Sequence, residues 1–268
     1  MEEYKFEAQK QWNKTPCGTG SLGGRPEDPD LAFFDTVKYT RYEIEDAWMN
    51  KTIDFKIGRN KKVLEIGYGM GTDLLSWAQQ GAEVHGIDIT QTHYELATKN
   101  FELHGLKCNL KVCDSSAIDF PSNSFDIVYS LGVLHHTPDT VRCISEAYRV
   151  LKPGGRLILG MYRKYSAFHI FQMLLWNGIL KGKLRKLGYL GLMSTLELGA
   201  DGIKIKPLVK TYTTSQLKAI LSDFSNVQFK VTHFKREHMP VIGRLIPRFV
   251  EPWFEKSLGW YIVAFATK

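Results

Sequence analysis

The sequence predicts an α/β protein whose core is a doubly wound, mostly parallel sheet with helices on both faces. Three observations carry this. Lys61 to Leu75, KKVLEIGYGMGTDLL, reads as a short buried strand, a glycine turn and a helix opening. From residue 61 onward, segments of strand and helix character alternate. Acidic residues fall at the ends of successive strands, and an open parallel sheet takes its ligands outside those carboxyl ends.

The totals bound the possibilities. A chain of 268 residues holds one large domain, or one domain with a sizeable insertion. Its 44% apolar and 24% charged content is that of a soluble globular protein, and its apolar runs fall short of the ~20 residues that cross a bilayer. The start, MEEYKFEAQKQW, has no apolar core of a secretory signal. Cys17, Cys108, Cys113 and Cys143 form neither a C-x-x-C pair nor a zinc spacing, so reduced thiols in a cytoplasmic protein are expected. The net charge of +7 is uneven. Residues 1–151 hold 16 Lys and Arg against 22 Asp and Glu, and residues 152–268 hold 19 against 6. The second half is therefore expected to face an acidic substrate, a lipid headgroup surface, nucleic acid or only solvent.

Residues 1–60 read as a cap. Lys14 to Pro29, rich in Gly and Pro, is an irregular loop. Leu31 to Thr52 is helical by the spacing of Phe33, Phe34, Val37, Tyr42, Ile44, Ala47 and Trp48, with Tyr39 and Tyr42 as candidate acceptor contacts. Residues 61–161 form the core. After the glycine strand, Ala82 to Ile89 is a strand, and Thr90 caps a helix to His104. Lys107 to Cys113 and Phe125 to Leu131 are strands, Asp139 to Leu151 is a helix that Lys152-Pro153-Gly154-Gly155 stops, and Arg156 to Met161 is the fifth strand. Residues 162–215 break the rhythm with an apolar run, Phe168 to Trp176, followed by Lys181, Lys183, Arg185 and Lys186. This insertion is expected to lie over the core as a lid. Residues 216–268 complete the same α/β domain with the rest of a helix from Thr214 to Phe224 and strands at Val227 to Phe234 and Trp260 to Thr267.

The chemistry gathers at one sheet edge. Gly67, Gly69 and Gly71 let the backbone turn sharply toward the unpaired N–H groups of a helix start, a seat for a nucleotide-like ligand. The spacing is G-x-G-x-G, neither the dinucleotide fingerprint nor a P-loop. Asp88, about 20 residues on, suits ribose hydroxyls or a helix cap. Ile89 would pack on a base. Asp114, with Ser115, could accept from an exocyclic amino group or close a turn. Glu65 either orients the ligand or braces the glycine loop.

LEIGYGMG, GIDIT, CDSSAIDFPSNSFDIVYSLGVLHHTPD and LKPGGRLIL resemble, in order, segments of the class I S-adenosylmethionine-dependent methyltransferases, closest to the branch acting on quinones and other small molecules. The resemblance covers about residues 61–161. It implies a Rossmann-like seven-stranded sheet of order 3-2-1-4-5-7-6 with the last-added strand antiparallel. It also implies S-adenosyl-L-methionine as methyl donor, with S-adenosyl-L-homocysteine as product. Carried over by position, Gly67, Gly69, Gly71, Asp88, Ile89, Asp114 and Ser115 line the cofactor site, and Ser130 and Leu131 touch it through backbone atoms. Tyr68 stands where the family often has cysteine. His135 and His136, after strand four, either supply a general base, with His136 ahead, or shape the loop. No metal set is evident, and no metal is expected.

Tyr162, Arg163, Tyr165, His169 and Trp176 are acceptor-site candidates in the insertion, and Asp201-Gly202 and Pro207 to Tyr212 read as a loop near that pocket. Residues 168–186 read as a lid helix, as an amphipathic surface for peripheral contact with anionic lipid, or as a site for an acidic substrate. The expected function is methyl transfer to an O, N or C atom of a small organic molecule, acidic or lipid-like substrates included. An RNA or protein methyltransferase and a non-catalytic cofactor-binding module are the alternatives. Nucleic acid is the lesser candidate, because Ser130-Leu131-Gly132-Val133 stands where an Asn/Asp-Pro-Pro-Tyr motif would.

Overall fold

The computed structural model describes residues 2–197 and 208–268. The expected loop at Asp201-Gly202, and its continuation at Pro207, lie outside the described residues. In chain order the elements are α1 (Glu2–Lys14), α2 (Leu31–Tyr39), β1 (Lys62–Ile66), α3 (Thr72–Gln79), β2 (Glu83–Asp88), α4 (Gln91–Leu103), β3 (Asn109–Val112), β4 (Phe125–Leu131), α5 (Thr140–Val150) and β5 (Leu151–Tyr162). There follow a π-helical segment (Phe168–Leu180), α6 (Lys183–Ser194), α7 (Thr214–Ile220), β6 (Ser225–Thr232), α8 (Glu251–Leu258) and β7 (Tyr261–Thr267). The seven strands form one sheet of order β3-β2-β1-β4-β5-β7-β6. β1 to β5 pair in parallel, and β7 runs antiparallel to both β5 and β6. The implied sheet order and strand directions are thus found as expected.

The strand sequences sort their side chains by the period of two that a pleated strand imposes. Leu64, Val128, Leu157, Leu159, Ile262 and Ala264 face α5 and α7 in one buried cluster. Val63, Ile127, Tyr129, Ile158 and Val263 face α3 and α4 in another, which Trp48 and Met49 close. Both faces are covered, so the inner strands read as nearly continuous apolar runs. Polar caps fix the helix starts. Thr90 accepts from the His93 N–H at 3.4 Å, Asp139 from the Arg142 N–H at 3.0 Å, and Thr213 shares a capping box with Gln216.

Three departures from the expected elements matter. α1 was not foreseen at all. The single helix expected over 31–52 stops being α-helical at Tyr39 and continues as π-helical turns over Thr40–Glu45. The wider turns narrow the angle between neighbouring side chains and let Arg41 and Tyr42 reach one partner together. The expected insertion is a π-helical segment and α6, kinked at Gly188, whose Met173, Leu192 and Met193 pack with Val209 and Trp260. No described helix is long and apolar enough to cross a membrane.

The common partner of Arg41 and Tyr42 is Asp73, in the first turn of α3. The Arg41 guanidinium donates in a fork, Nε to Oδ1 and Nη2 to Oδ2, both at 2.7 Å. The hydroxyls of Tyr42 and of Tyr129 on β4 each donate to the same carboxylate at 2.8 Å. Asp73 is 3% exposed, so four donors replace the water it has lost. The network joins the cap, α3 and the central strand. Burial and the Asp73 carboxylate push the Tyr42 and Tyr129 hydroxyls well above their ordinary range, which keeps both protonated as donors. Asp73→Ala should cost about 3–5 kcal/mol of stability, the scale of breaking a buried ion pair, whereas Tyr129→Phe should cost about 1 kcal/mol. Urea unfolding measures both. Equal losses for the two variants would deny Asp73 its central place.

Candidate functional site

A cleft opens at the carboxyl ends of β1 to β4, where the sequence places its acidic residues. Its free space, open mouth included, is about 1560 Å³. Lys5, Ala8 and Trp12 of α1 form one wall, and Tyr162, Tyr261 and Glu197 stand at another part of its lining.

The glycine turn forms its floor. Gly67 has φ +78°, and a Cβ there would strike the Val133 side chain at 2.4 Å, so only glycine fits between β1 and the loop after β4. Gly69 lines the cleft and donates its N–H to Asp88 Oδ2 at 3.1 Å. Gly71 does not line the cleft; it sits at the N-cap of α3, against Ala97 and Phe101 of α4. Tyr68 lays its ring beside Gly86 of β2, where a Cβ would come within 2.5 Å of it. Its buried hydroxyl has no hydrogen-bond partner, and burial, with the Asp88 carboxylate next in size, raises its pKa.

Glu65, the penultimate residue of β1, is 4% exposed and lines the cleft, and its Oε2 has no partner. Burial raises its pKa well above the carboxylate range; Asp73 and Asp88 add to this, and Arg41 opposes it. Arg41 is already forked onto Asp73, so Glu65 is a buried carboxyl waiting for a cation or donor.

Asp88 ends β2 and is buried. Its Oδ1 accepts from the Thr90 N–H (3.0 Å), the Thr90 hydroxyl (2.9 Å) and His93 Nδ1 (3.1 Å), while Oδ2 accepts only from Gly69. Asp88 thus braces the glycine loop and caps α4 at once, and Oδ2 keeps capacity for a ligand hydroxyl. Burial works against its ionised form, but His93 together with the Thr90 and Gly69 N–H donors outweighs that and holds Asp88 below the usual carboxylate range. Burial likewise opposes charge on His93, and Asp88 prevails, raising its pKa to about 10. As a cation the ring cannot accept from the Cys17 N–H, whose 3.4 Å approach to Nε2 is the weaker of the two contacts and yields.

Asp114 follows β3 and lines the cleft, but it is engaged. Lys5 Nζ lies 2.5 Å from its Oδ2, and the Ser116 N–H donates to Oδ1 at 2.8 Å. Gln9 donates to the Ile89 carbonyl at 3.0 Å, so α1 is latched onto both residues expected around a base. Ser115 lines the cleft with its hydroxyl 3.2 Å from Cys143 Sγ. Leu131 lines it too. Ser130 is fully buried outside it, donating to the Ile66 carbonyl at 3.0 Å.

The two histidines part company. His135 is fully buried, does not line the cleft, and stacks on Tyr162 with ring centroids 3.8 Å apart. Neither of its ring nitrogens has a partner, and burial holds it well below its usual pKa. His136 lines the cleft. Its Nδ1 lies 2.7 Å from the Leu208 carbonyl, which can only accept, so Nδ1 carries the proton and Nε2 keeps a lone pair. That Nε2 faces Glu197 Oε1 at 3.6 Å, and Tyr162 donates to the same oxygen at 3.2 Å. Burial lowers the His136 pKa, with Glu197 opposing, and leaves the ring neutral at pH 7.

Of the expected acceptor contacts, only Tyr162 lines the cleft. Tyr39 is exposed, and Tyr42 belongs to the Asp73 network. Arg163 donates to the Ser257 carbonyl, Tyr165 is exposed, His169 pairs with the Tyr189 hydroxyl, and Trp176 lies under Lys181. These residues sit on the insertion but outside the cleft, because the helical segments after Tyr162 pack against Trp260 instead. Sequence reasoning missed Lys5, Trp12, Arg41, Asp73 and Glu197. Of these, only Asp73 left a local trace, an acid in a helix's first turn, which reads equally as a dipole partner. Among the described residues no cluster of three or more His, Cys, Asp or Glu is placed to hold a metal.

The donor set fits S-adenosylmethionine. An unpartnered buried carboxyl at Glu65 suits its ammonium, Asp88 Oδ2 suits a ribose hydroxyl, and the glycine turn leaves backbone accessible between them.

Residues 64–159 match a family described as "Methyltransferase domain". The chain is 35% identical over 113 residues to phosphoethanolamine N-methyltransferase 2 of Caenorhabditis elegans, covering 41% of this chain and 25% of that protein. It is 30% identical over 111 residues to a ubiquinone biosynthesis O-methyltransferase of Coxiella burnetii, covering 41% and 47%. The match thus spans a quarter to about half the length of these relatives. A solved S-adenosylmethionine-dependent methyltransferase from Methanosarcina mazei shares the fold at a TM-score of 0.56 and 24% identity, over 82% of this chain and 96% of that one.

Asp88→Ala should weaken S-adenosylhomocysteine binding, titrated calorimetrically, by about 1–3 kcal/mol, the cost of a lost charged hydrogen bond; an unchanged affinity would remove Asp88 from the site. A second expectation concerns pH. Charge on His93 stabilises the fold fully below the unfolded pKa of about 6.5, and that contribution is lost as pH rises toward the folded value of about 10. The melting temperature of His93→Gln should therefore fall less than that of the parent between pH 7 and pH 10. Parallel curves would mean an uncharged ring.

Proposed function

We propose, from the premise that residues 64–159 carry a class I S-adenosylmethionine-dependent methyltransferase domain, that the chain methylates an O, N or C atom of a small organic molecule. The observation that supports this best is Glu65, a buried carboxyl without a partner at the head of the glycine turn. When bound, S-adenosylmethionine supplies a methyl group activated by its sulfonium, so the chain's own task is placement and exclusion of water. Glu65 holds the cofactor's ammonium and Asp88 its ribose, and α1 walls the cleft.

Tyr162, His136, Glu197 and Trp12 wall the acceptor side. His136 Nε2 and Glu197 Oε1 are two acceptors 3.6 Å apart, and a substrate O–H or N–H lying beside the pair in the cleft donates to Nε2. The acceptor's proton passes to Nε2, and Glu197 stabilises the imidazolium that results. The lining holds seven carboxyl groups, with Lys5 and Arg41 as its Lys and Arg residues, both paired to carboxylates. The acceptor is therefore neutral or cationic at the reacting end, not acidic.

Incubating the protein with methyl-labelled S-adenosylmethionine and metabolite extracts tests the reading, with labelled small molecules expected. Label appearing only in RNA or protein would overturn it. On the substrate so found, His136→Ala should lower kcat by about 10²–10⁴ and abolish the acid limb of the pH–rate profile. An unchanged rate would assign His136 to packing.

A further inference from the structure

The basic half of the chain does not serve the cleft. Residues 152–268 hold 19 Lys and Arg, and none of those among the described residues lines it. The positive charge lies instead beside an unusual amount of exposed apolar surface, in two segments, residues 168–194 and 241–258.

The first is the π-helical segment and α6. Ile179, Leu180 and Leu190 are 61%, 71% and 55% exposed, and Lys183, Arg185 and Lys186 stand among them. The second runs from residue 241 through α8. Here Leu245, Phe249 and Trp253 are 81%, 84% and 65% exposed, with Arg244 and Arg248 between them. None of these five cations has an ion pair among the described residues. The nearby acids are engaged elsewhere: Glu251 pairs with Arg236, and Glu255 accepts from Thr232 and His233. The two segments adjoin, because Phe171 of the first packs in one buried cluster with Ile246 and Phe254 of the second. Leucine, phenylalanine and tryptophan side chains left in water next to unpaired cations are not a solvated basic face, which needs no apolar groups, nor an RNA site, which would use the charge without the leucines.

We propose that these adjoining faces are a docking surface for an anionic phospholipid bilayer. The apolar side chains enter the boundary between headgroups and acyl chains, and the unpaired Lys and Arg meet the negative headgroups. The surface stands close to the acceptor side of the cleft. Tyr162 stacks on Trp260 at 4.4 Å, and Trp260 meets Phe168, at the start of the first segment, with ring centroids 4.8 Å apart. The inference does not depend on methyl transfer.

Flotation with lipid vesicles tests it. The protein should float with vesicles of equimolar phosphatidylcholine and phosphatidylserine, not with phosphatidylcholine alone, and less at high salt. The double variant Leu245→Ser, Phe249→Ser should lose flotation while keeping S-adenosylhomocysteine affinity, which shows that it folds. Arg244→Gln and Arg248→Gln should each weaken binding about five-fold. Failure to float with either vesicle, or equal flotation of the double variant, overturns the proposal. So does a parent protein that is dimeric without lipid and becomes monomeric in the double variant, which would make the surface an interface between copies.

Discussion

The structure depends on one buried carboxylate, Asp73. Four donors from three residues, on two separate stretches of chain, converge on it, and the Tyr129 hydroxyl would be stranded without it. The π-helical turns after α2 exist in the form that brings Arg41 and Tyr42 to that carboxylate together. Its second effect is on the neighbour. By occupying Arg41, Asp73 leaves Glu65 buried and unmatched, and two further carboxylates nearby deepen the field that a positively charged ligand would meet. A structural ion pair and a functional vacancy for charge are thus two sides of the same arrangement.

Much of this was legible in the sequence. The glycine turn, Asp88 and the strands leading to them are local in character, and their chemistry is fixed by spacing: a strand, a backbone reversal, a helix start and an acid at the next strand's end. The strand order followed from resemblance, not from the residues alone. What stayed hidden was long-range. Lys5 meets Asp114 across 109 positions, and Glu197 meets His136 across 61. No period or motif encodes such meetings. Helical spacing after Leu31 picked out Phe34, Val37, Tyr42 and Trp48, which are buried, together with Ile44, which is exposed, and could not say that Tyr39 lies outside the cleft while Arg41 lines it. The insertion misled for the same reason: Tyr165 is exposed, His169 pairs with the Tyr189 hydroxyl and Trp176 lies under Lys181, so that only Tyr162 of its expected contacts reaches the cleft.

The charge asymmetry is resolved by location. A count along the chain suggested that the basic half meets an anion, and an acidic substrate was one candidate. The described lining of the cleft carries seven carboxyl groups beside Lys5, Arg41 and His93, and no Lys or Arg of the described part of the basic half reaches it. The acidic lining of the cleft and the exposed basic segments are separate surfaces, and the rings of Tyr162, Trp260 and Phe168 run from one toward the other.

The latch formed by α1 has a consequence for traffic. Any nucleoside that is to use Asp114 finds an ammonium already seated there, and must either share the carboxylate or turn Lys5 out. That pair is partly open to solvent, so dissolved ions loosen it. Ionic strength therefore weakens the contact that fastens α1 to this side of the cleft at the same time as it screens the site's own charges.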